Sequence, residues 1–279
     1  MSGEDGRVEV IIKLGGSAIT HKNQLETENA IAFEKAAEIV GNLRGTCIIV
    51  HGAGSFGHFQ AHEYNTAKGL GVDVQRGRIG FAKTRVSVTK LNHKVTTFFV
   101  DKGIPAVGLS PCGSWTTSAG HVTKADISQV KDLLVAGFVP VLHGDCVVDM
   151  EQGCAILSGD KIIERLVQEL LPKRVVFLTN VNGIYDKPPE QNGAILLNEI
   201  NVAADGNILV PIATNTHSHD VTGGLRGKLQ SAVNIVTTSK GRTKVFVANI
   251  LSECALKSCV DGCTTPGEGT VIKLASGNT

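Results

Sequence analysis

The chain contains 279 residues, of which 42% are hydrophobic, which is enough for one large α/β domain or two closely joined lobes and too much for a globally disordered chain. Its 27 Lys and Arg residues nearly balance its 26 Asp and Glu residues, and a net charge of +1 argues against nucleic acid or an anionic membrane surface as a partner. No apolar run approaches the roughly 20 residues of a membrane-spanning helix, and the N-terminal sequence MSGEDGRVEV contains no apolar secretory core.

The seven cysteines are odd in number and scattered, which is typical of reduced thiols and predicts a cytoplasmic protein rather than a disulfide framework. Cys254, Cys259 and Cys263 form a cluster near the C-terminus. That cluster lacks a fourth ligand and the tight CxxC spacing of a zinc site. Ordinary, partly buried thiols are therefore predicted there, and no metal site built from protein ligands is expected.

Apolar, β-branched strands that end in glycine-rich turns alternate with amphipathic helices along the chain. In chain order the pattern predicts a strand over 8–14, a helix over 26–43, a strand over 46–50, a loop over 65–78, a helix over 79–100 and a strand over 104–109. It continues with a hairpin or irregular excursion over 114–124, a helix over 127–136, strands over 139–142 and 154–157, and a helix over 158–170. It ends with strands over 174–178, 244–248 and 269–274, a helix over 225–237, and a strand or linker over 195–200.

This alternation predicts an α/β fold, a three-layer αβα sandwich around a central, mainly parallel sheet. No linker rich in Pro or Ser interrupts the chain, so a division near Pro172 is soft. We expect an N-terminal lobe over 1–172 and a C-terminal lobe over 173–279 that share one continuous sheet.

Lys13 stands at the end of the first strand, directly before the turn formed by Gly15, Gly16 and Ser17. Glycines after a strand let the backbone approach a phosphate, and exposed amide N–H groups bind it. The sequence is neither a GxxxxGK[ST] phosphate loop nor a GxGxxG motif. A tight βα turn beside a surface lysine is an equally good interpretation of this motif alone.

The second strand runs into HGAGSFGH, residues 51–58, which has three glycines within six residues. The motif predicts a second anion-binding loop, closed by His58, whose imidazole can donate hydrogen bonds to a phosphate or to an oxygen derived from a hydroxyl group. Alternatively, His58 only caps the following helix. His58 and His62 share a helix face at a spacing seen in metal-binding pairs, but no adjacent carboxylate supports a metal there.

Two further glycine motifs open predicted helices. Asp160, in the motif SGD, is either a helix-terminal carboxylate favoured by the helix dipole or a partner that holds two lysines by charge pairing. Gly223 and Gly224, in the motif DVTGG, offer backbone amides to a phosphate, and Lys228 follows one turn further on. A simple capping motif would look the same.

Each motif is weak alone, but the joint pattern is more specific. It combines glycine-rich loops at successive strand ends, lysines far apart in the sequence and one aspartate between them. Phosphoryl transfer requires mainly positioning and the neutralisation of charge on the migrating group, which lysines and loop amides supply without a covalent nucleophile. The sequence therefore predicts an enzyme that moves the terminal phosphoryl group of ATP to a small acceptor.

The motifs KLGGS, HGAGSFGH, HGD, SGD, TNVNGIYDKPP and DVTGG, with Lys228 after them, resemble the amino acid kinase superfamily in one order from Lys13 to Lys228. Within it, HGAGSFGH with its closing His58 resembles the isopentenyl phosphate kinases. The acetylglutamate, glutamate and uridylate kinases lack that histidine, and the fosfomycin kinases are the near relatives that would share it. The second loop reads GAG where GGG is also common, so Ala53 narrows it slightly and leaves its backbone contact intact.

The resemblance implies a role for each matching residue. Contacts to ATP would come from Lys13, Gly15, Gly16, Ser17, Gly54, Thr179, Asn180, Gly183, Tyr185, Gly223, Gly224 and Lys228. Contacts to the acceptor would come from Ala53, Gly54, Gly57, His58 and Gly159. Lys22 would stand beside the transferring phosphoryl group and Asp160 would organise the lysines, so the expected catalytic set is Lys13, Lys22, His58, Asp160 and Lys228.

The implied reaction converts isopentenyl phosphate and ATP to isopentenyl diphosphate and ADP, a step of isoprenoid precursor synthesis. Mg²⁺ would travel with the nucleotide rather than on protein ligands. The helix over 79–100 would supply a pocket for the apolar tail of the acceptor through Phe81 and Val86, although core packing is the better interpretation of either residue alone. The resemblance also implies a homodimer.

Two alternatives remain open at this point. The same fold would serve a phosphonate antibiotic such as fosfomycin as acceptor, and the character of the tail pocket discriminates between the two. The second alternative is not an enzyme but a nucleotide-binding regulator or storage protein without turnover. The joint presence of Lys13, Lys22, His58, Asp160 and Lys228 argues against it.

Overall fold

The computed structural model of the chain describes residues 7–187, 189–209 and 223–275. Its strands are β1 (Val10–Leu14), β2 (Cys47–His51), β3 (Ala106–Leu109), β4 (Trp115–Ser118), β5 (His121–Ala125), β6 (Val139–His143), β7 (Asp145–Asp149), β8 (Gly153–Leu157), β9 (Arg174–Thr179), β10 (Ile184–Tyr185), β11 (Leu196–Leu197), β12 (Glu199–Val202), β13 (Ile208–Leu209), β14 (Lys244–Asn249) and β15 (Thr270–Leu274). Its α-helices are α1 (Gly16–Ile19), α2 (Ala30–Gly41), α3 (His58–Glu63), α4 (Val74–Asp101), α5 (Ser128–Val135), α6 (Gly159–Leu170), α7 (Gly223–Thr238) and α8 (Glu253–Val260). Turns of 3₁₀ helix span Gly54–Phe56 and Thr66–Lys68.

Within the described residues, nine strands form the central sheet in the order β13-β12-β15-β14-β9-β1-β2-β6-β3. The strands run parallel from β14 through β9, β1, β2 and β6 to β3, whereas β15 pairs with β14, and β13 with β12, in the antiparallel sense. Val10 of β1 lies opposite Arg174 of β9. The early and late parts of the chain therefore share one sheet.

The two faces of this sheet pack against separate sets of helices, because successive side chains of a strand point to opposite sides. In β1, Val10, Ile12 and Leu14 pack with buried residues of α2, α4 and α8. Ile11 packs on the opposite side with buried residues of α5, α6 and α7. Helices thus cover both faces of a mainly parallel sheet, and the predicted three-layer αβα sandwich is confirmed.

The start of α4 differs from the prediction, because the last residues of the predicted loop are already helical from Val74 onward. Gly77 obscures this start, since glycine disfavours a helix interior. A Cβ atom at Gly77 would lie 2.1 Å from the carbonyl oxygen of Leu70. The glycine is therefore present for close packing of the preceding loop on the helix and does not mark a turn.

Other differences have local causes. The helix predicted from residue 26 begins at Ala30, because Asn29 caps it and its side chain accepts a hydrogen bond from the Ala32 N–H at 3.3 Å. The sequence pattern does not predict β7 or α8. Gly144 alone separates β6 from β7, which hides the second strand.

A smaller sheet has the strand order β5-β4-β7-β8, and β4 and β5 form the predicted hairpin. Asp149, at the end of β7, connects the β7–β8 hairpin to the β4–β5 hairpin. The carboxylate of Asp149 accepts hydrogen bonds from Thr117 Oγ1 at 2.7 Å and from the Gly120 N–H at 2.8 Å. Further hydrogen bonds come from the N–H groups of Glu151 and Gln152. In the part of the chain that the structure describes, no helix has both the length and the apolar character that are needed to cross a bilayer.

The carboxyl ends of β1, β2 and β9 lie side by side, with Leu14 paired in register with His51 on one side and Leu178 on the other. Because these strands are parallel, the loops that follow them meet at one edge of the sheet. These loops are the first glycine loop (residues 15–17) and the second glycine loop (residues 52–57), with the turn that starts at Asn180 beside them.

Candidate active site

The two glycine loops pack backbone against backbone. A Cβ atom at Gly16 would lie 2.4 Å from the backbone nitrogen of Gly54, and one at Gly52 would lie 2.7 Å from the backbone nitrogen of Gly16. Gly54 has a positive φ of 52°, a left-handed conformation that glycine adopts without steric cost. The glycines are therefore required here, and they bring the ends of β1 and β2 into direct contact.

Thr20 joins the same two loops through its hydroxyl group. Its Oγ1 donates a hydrogen bond to the Gly16 carbonyl at 2.7 Å and accepts one from the Ser55 N–H at 3.0 Å. This threonine was not identified from the sequence, because its partner Ser55 is remote in the sequence and no local spacing marks the pair.

Lys13 and Asp160 form an ion pair next to these loops. Lys13 is 7% exposed at the end of β1, and its Nζ lies 5.7 Å from the centroid of the Phe177 ring. Asp160 lies in the first turn of α6, where the Ser158 side chain is the N-cap. A Cβ atom at Gly159 would lie 3.1 Å from the Lys13 side chain, so the glycine leaves room for the lysine.

Lys228, on α7, belongs to the same electrostatic cluster. Burial lowers the pKa of Lys228, the charge of Lys13 lowers it further, and the charge of Asp160 raises it. The chain thus brings two lysines and a carboxylate together from three distant segments. Asp160 lies within electrostatic range of both lysines, which the interpretation as a partner of two lysines requires.

His58 and Lys22 form a second pair of side chains that interact electrostatically. His58 is the first residue of α3, where Gly57 and not His58 occupies the N-cap position. Partial burial and the positive charge of Lys22 lower the pKa of His58. A Cβ atom at Gly57 would lie 2.7 Å from the Ala53 Cβ, so the second glycine loop is tightly closed beneath the histidine.

The segment after β9 borders the first glycine loop. The Gly15 N–H donates a hydrogen bond to the Leu178 carbonyl at 2.8 Å. Thr179 is buried, and its Oγ1 donates to the Val181 carbonyl at 2.8 Å, which shapes the turn. Asn180 is exposed at the tip of that turn.

Gly183 and Tyr185 lie further along this segment. A Cβ atom at Gly183 would lie 2.6 Å from Thr270 Oγ1, and the same hydroxyl accepts a hydrogen bond from the Ile184 N–H at 2.8 Å. Tyr185 is half-buried in β10. The segment is thereby attached to the C-terminal end of the chain.

The remaining predicted residues are placed as follows. Gly223 and Gly224 form the start of α7, and Ser17 is exposed in α1. Residues 220–222 of the DVTGG motif lie outside the described residues. Phe81 is half-buried on α4, and its contact with an acceptor tail stays a prediction.

A buried histidine pair beneath the loops was not identified from the sequence. His51 and His143 end the neighbouring strands β2 and β6, and their rings stack with centroids 5.5 Å apart. His51 Nδ1 donates to the Gly52 carbonyl at 2.9 Å, and Nε2 accepts from Asn92 Nδ2 at 3.1 Å. Burial, followed by the charge of His143, lowers the pKa of His51 to about 3, so the ring is neutral. The repeated His-Gly pair at two strand ends was the available signal.

The arrangement matches the needs of phosphoryl transfer. The two packed glycine loops are accompanied by two pairs of side chains that can bind anions, Lys13 with Lys228 and Lys22 with His58. Such groups neutralise and orient phosphates without forming a covalent intermediate. Among residues 7–187, 189–209 and 223–275, no cluster of three or more His, Cys, Asp or Glu side chains has the arrangement of a metal site.

Comparisons with known proteins agree with this geometry. The chain matches the sequence profile of the amino acid kinase family over residues 9–249. It is 36% identical to the isopentenyl phosphate kinase of Arabidopsis thaliana, with 96% of each chain covered, and 38% identical to that of Methanothermobacter thermautotrophicus, over 79% of this chain and 84% of the relative. An X-ray structure of an isopentenyl phosphate kinase superposes with a TM-score of 0.78 at 31% identity, covering 95% of this chain and 99% of the other. The chain therefore belongs to the amino acid kinase family, and within it groups with the isopentenyl phosphate kinases, as the motifs predict.

Proposed function

We propose that the protein transfers the terminal phosphoryl group of ATP to the phosphate of isopentenyl phosphate, forming isopentenyl diphosphate and ADP. The observation that carries this proposal is the direct packing of the two glycine loops, through Gly16 and Gly54, with Lys13 beside one loop and His58 at the end of the other. A nucleotide phosphate at the first loop and an acceptor phosphate at the second would then be neighbours. A relative that carries this activity in its name matches 96% of the chain.

The nucleotide would lie along the first glycine loop. The backbone amides of Gly16 and Ser17 and of the start of α7 would bind its phosphates, since helix and loop N–H groups favour anions. Gly15, whose N–H is bonded to Leu178, would border them. Asp160 would keep the two neighbouring lysines in place, which limits their mutual repulsion. Thr179, Asn180, Gly183 and Tyr185 would border the nucleoside.

The acceptor phosphate would lie on the second glycine loop. The amides of Ala53, Gly54, Gly57 and Gly159 would contact it, and His58 would hold it by a hydrogen bond. An oxygen of a phosphate monoester is ionised near neutral pH, so it needs no general base before it attacks. The new bond joins that oxygen to the terminal phosphorus of ATP, and the bond from this phosphorus to the bridging oxygen of ADP breaks. Lys22 would neutralise the moving group between the two.

Mg²⁺ bound together with ATP would neutralise part of the charge of the phosphates. The Asp160 carboxylate is paired with Lys13, so it is not presented as a free ligand for a metal ion. This is the reason why we assign the metal to the nucleotide and not to protein side chains.

The acceptor specificity is tested with an acceptor panel. The purified protein is supplied with ATP and Mg²⁺ and with isopentenyl phosphate, fosfomycin or N-acetylglutamate, and ADP release is followed by a coupled assay. We expect the highest kcat/KM with isopentenyl phosphate. Faster turnover of fosfomycin would assign the protein to the phosphonate kinases, and ATP binding without turnover of any acceptor would indicate a regulator. The same panel tests the tail pocket, because Phe81→Ala should raise the KM for isopentenyl phosphate and spare ATP.

We also propose that the protein is a homodimer that pairs through α4. Ile79, Val86, His93 and Val100 are exposed along this helix at intervals of seven residues, which places them on one stripe. Three of the four residues are apolar, and exposed apolar patches mark protein interfaces. Light scattering coupled to size exclusion should give twice the chain mass, and Val86→Glu should give a monomer.

Each lobe has its own proposed part in this site. We propose that residues 1–172 bind the acceptor phosphate and part of the ATP phosphates, and that residues 173–279 bind the nucleotide. The site lies where β1 of the first lobe meets β9 of the second. We propose a cytoplasmic location, since all seven cysteines are unpaired and a reducing compartment maintains such thiols.

A further inference from the structure

The residues around Lys22 form a closed loop. Thr20 and Glu28 pair across its base, and the His21 N–H donates a hydrogen bond to the Thr27 carbonyl at 2.9 Å. Lys22 lies within this loop and is exposed. We refer to residues 21–27 as the Lys22 loop. A long, exposed lysine has many conformations, so the position of its charge depends on how this loop is held.

Glu26 has an unusual backbone conformation within the Lys22 loop. Its φ is +49°, in the left-handed region that residues other than glycine rarely adopt. Such a conformation persists only where the surrounding contacts determine it, and it is often associated with functional sites. The contacts of Glu26 are therefore the feature that requires an explanation.

Three bonds tie Glu26 to two other parts of the site. Its backbone N–H donates to the carbonyl of Ser55, in the second glycine loop, at 3.2 Å. Its carboxylate accepts a hydrogen bond from the buried Ser87 hydroxyl at 2.7 Å and forms an ion pair with Lys90. Both of these partners lie on α4. One residue thus connects the Lys22 loop, the second glycine loop and the helix that flanks them.

We infer that Glu26 is a positioning residue, which holds the Lys22 ammonium beside His58 by fastening the Lys22 loop to α4 and to Ser55. The inference about geometry stands on these contacts, and its consequence for turnover rests on the proposed function. The direction of the His58 pKa agrees with it, because the charge of Lys22 reaches the imidazole. Without the carboxylate, the loop loses the two bonds of Glu26 to α4 and keeps its hydrogen bonds to Ser55 and the pairing across its base.

The chain offers a matched control two residues away, at Glu28. Glu28 forms an ion pair with Lys94 of α4 at 2.9 Å, so it has the same chemistry and the same partner helix. It lies at the base of the loop, where the pairing with Thr20 holds the backbone independently of the carboxylate. Removing this carboxylate should therefore leave Lys22 in place.

The direct test is an NMR titration of the His58 imidazole in the intact protein without substrates. Lys22→Met should raise the pKa of His58, because a positive neighbour is removed. Glu26→Ala should raise it by a similar amount, Glu28→Ala should leave it at the wild-type value, and the Lys22→Met/Glu26→Ala double variant should add nothing further. A wild-type His58 pKa in the Glu26→Ala or in the Lys22→Met protein would overturn the inference.

Two further variants keep the test decisive if Glu26→Ala does not fold. Glu26→Gln keeps an acceptor for Ser87 and loses the ion pair, and Lys90→Met removes the partner charge on the exposed side of α4. Both should raise the pKa of His58, by less than Glu26→Ala. Circular dichroism checks that each protein is folded. No change in either folded variant would contradict the inference.

Kinetics provide the second readout. Because a displacement of about 1 Å costs on the order of 100-fold in rate, kcat of Glu26→Ala should fall roughly 10- to 100-fold with the KM for ATP unchanged. Glu28→Ala should retain wild-type kcat. The titration needs no substrate, so a wrong acceptor assignment would leave its outcome intact, whereas a failed titration would overturn the role of Glu26 alone.

Discussion

Lys13 at the end of β1 and Asp160 at the start of α6 form a nearly buried ion pair, although they come from distant parts of the sequence. The charge of Asp160 also reaches Lys228 on α7. A buried charge pair contributes little net stability on average, because desolvation offsets the attraction. We propose instead that the pair keeps Lys13 and Lys228 close together, as binding of phosphates at this edge of the sheet would require.

Replacing Asp160 tests this relationship. Asp160→Asn keeps the size of the side chain and removes its charge, so Lys13 and Lys228 should repel one another and leave their positions. We expect kcat to fall about 100-fold, with a smaller effect on unfolding. Steady-state kinetics with ATP and isopentenyl phosphate measure the change. The control is Glu169→Gln, which breaks a surface ion pair with Arg165 on the same helix and should leave kcat unchanged. A fully active Asp160→Asn enzyme would contradict the proposal that Asp160 holds the two lysines in place.

The close packing of the two glycine loops predicts that a side chain added there would cause a steric clash. Gly16→Ala would place a Cβ atom 2.4 Å from the Gly54 nitrogen, so the two loops would have to separate. We expect unfolding to become easier by about 1–3 kcal/mol and turnover to be lost. Gly227→Ala, on α7, meets no atom within 4 Å and should be tolerated. Denaturant melts and kinase assays on both variants check this, and an active, stable Gly16→Ala protein would show that the loops need not touch.

His58→Ala should impair the use of the acceptor and leave the binding of the nucleotide unchanged. The variant loses the imidazole that we assign to the acceptor phosphate, so kcat/KM for isopentenyl phosphate should fall about 100-fold, while calorimetry should show unchanged ATP binding. His62→Ala lies four residues along the same helix and should behave as wild type. A loss of ATP affinity in His58→Ala would instead assign this histidine to the nucleotide-binding site.

The protonation of His58 should respond to the acceptor. In the substrate-free protein, partial burial and Lys22 lower the pKa of His58, so the imidazole is mainly neutral near pH 7. A phosphate bound against it favours the charged form and raises the pKa. Between the two pKa values binding takes up a proton, and affinity therefore weakens as the pH rises through that interval. NMR titrations of His58 with and without isopentenyl phosphate measure both values; an unchanged or lower pKa with the acceptor bound would contradict the contact.

The sequence predicts much of this site, because phosphate-binding glycines follow local rules. Lys13, with the glycines after it, stands at the end of an apolar strand, and His58 closes a glycine-rich motif, so both were identified from adjacent residues. Glu26 was not, since the contacts that determine its backbone come from α4 and from the second loop, which only folding brings together. The start of α4 was also missed, because Gly77 is present for a packing contact with Leu70 but in the sequence it indicates a loop rather than a helix.

Asp149 was also not predicted, and it has a consequence for acid stability. Hydrogen bonds from Thr117 and from several backbone N–H groups lower the pKa of its carboxyl, in spite of its burial. A lowered folded-state pKa stabilises the fold above the unfolded value of about 4 and loses that contribution as the pH falls toward the folded value. Asp149→Asn should cost about 1–3 kcal/mol at pH 7, and less in acid. Urea melts from pH 7 to 3 measure this; an equal loss at every pH would contradict it.

The central claim is that both glycine loops and their cationic side chains surround a single phosphoryl-transfer centre. A crystal structure with a non-hydrolysable ATP analogue and isopentenyl phosphate tests it most directly. We predict one continuous cavity in which Lys13 and Lys228 contact the nucleotide phosphates, His58 contacts the acceptor phosphate, and the attacking oxygen lies about 3–3.5 Å from the terminal phosphorus. If the two ligands occupied separate cavities, with His58 remote from the acceptor, the account would be wrong.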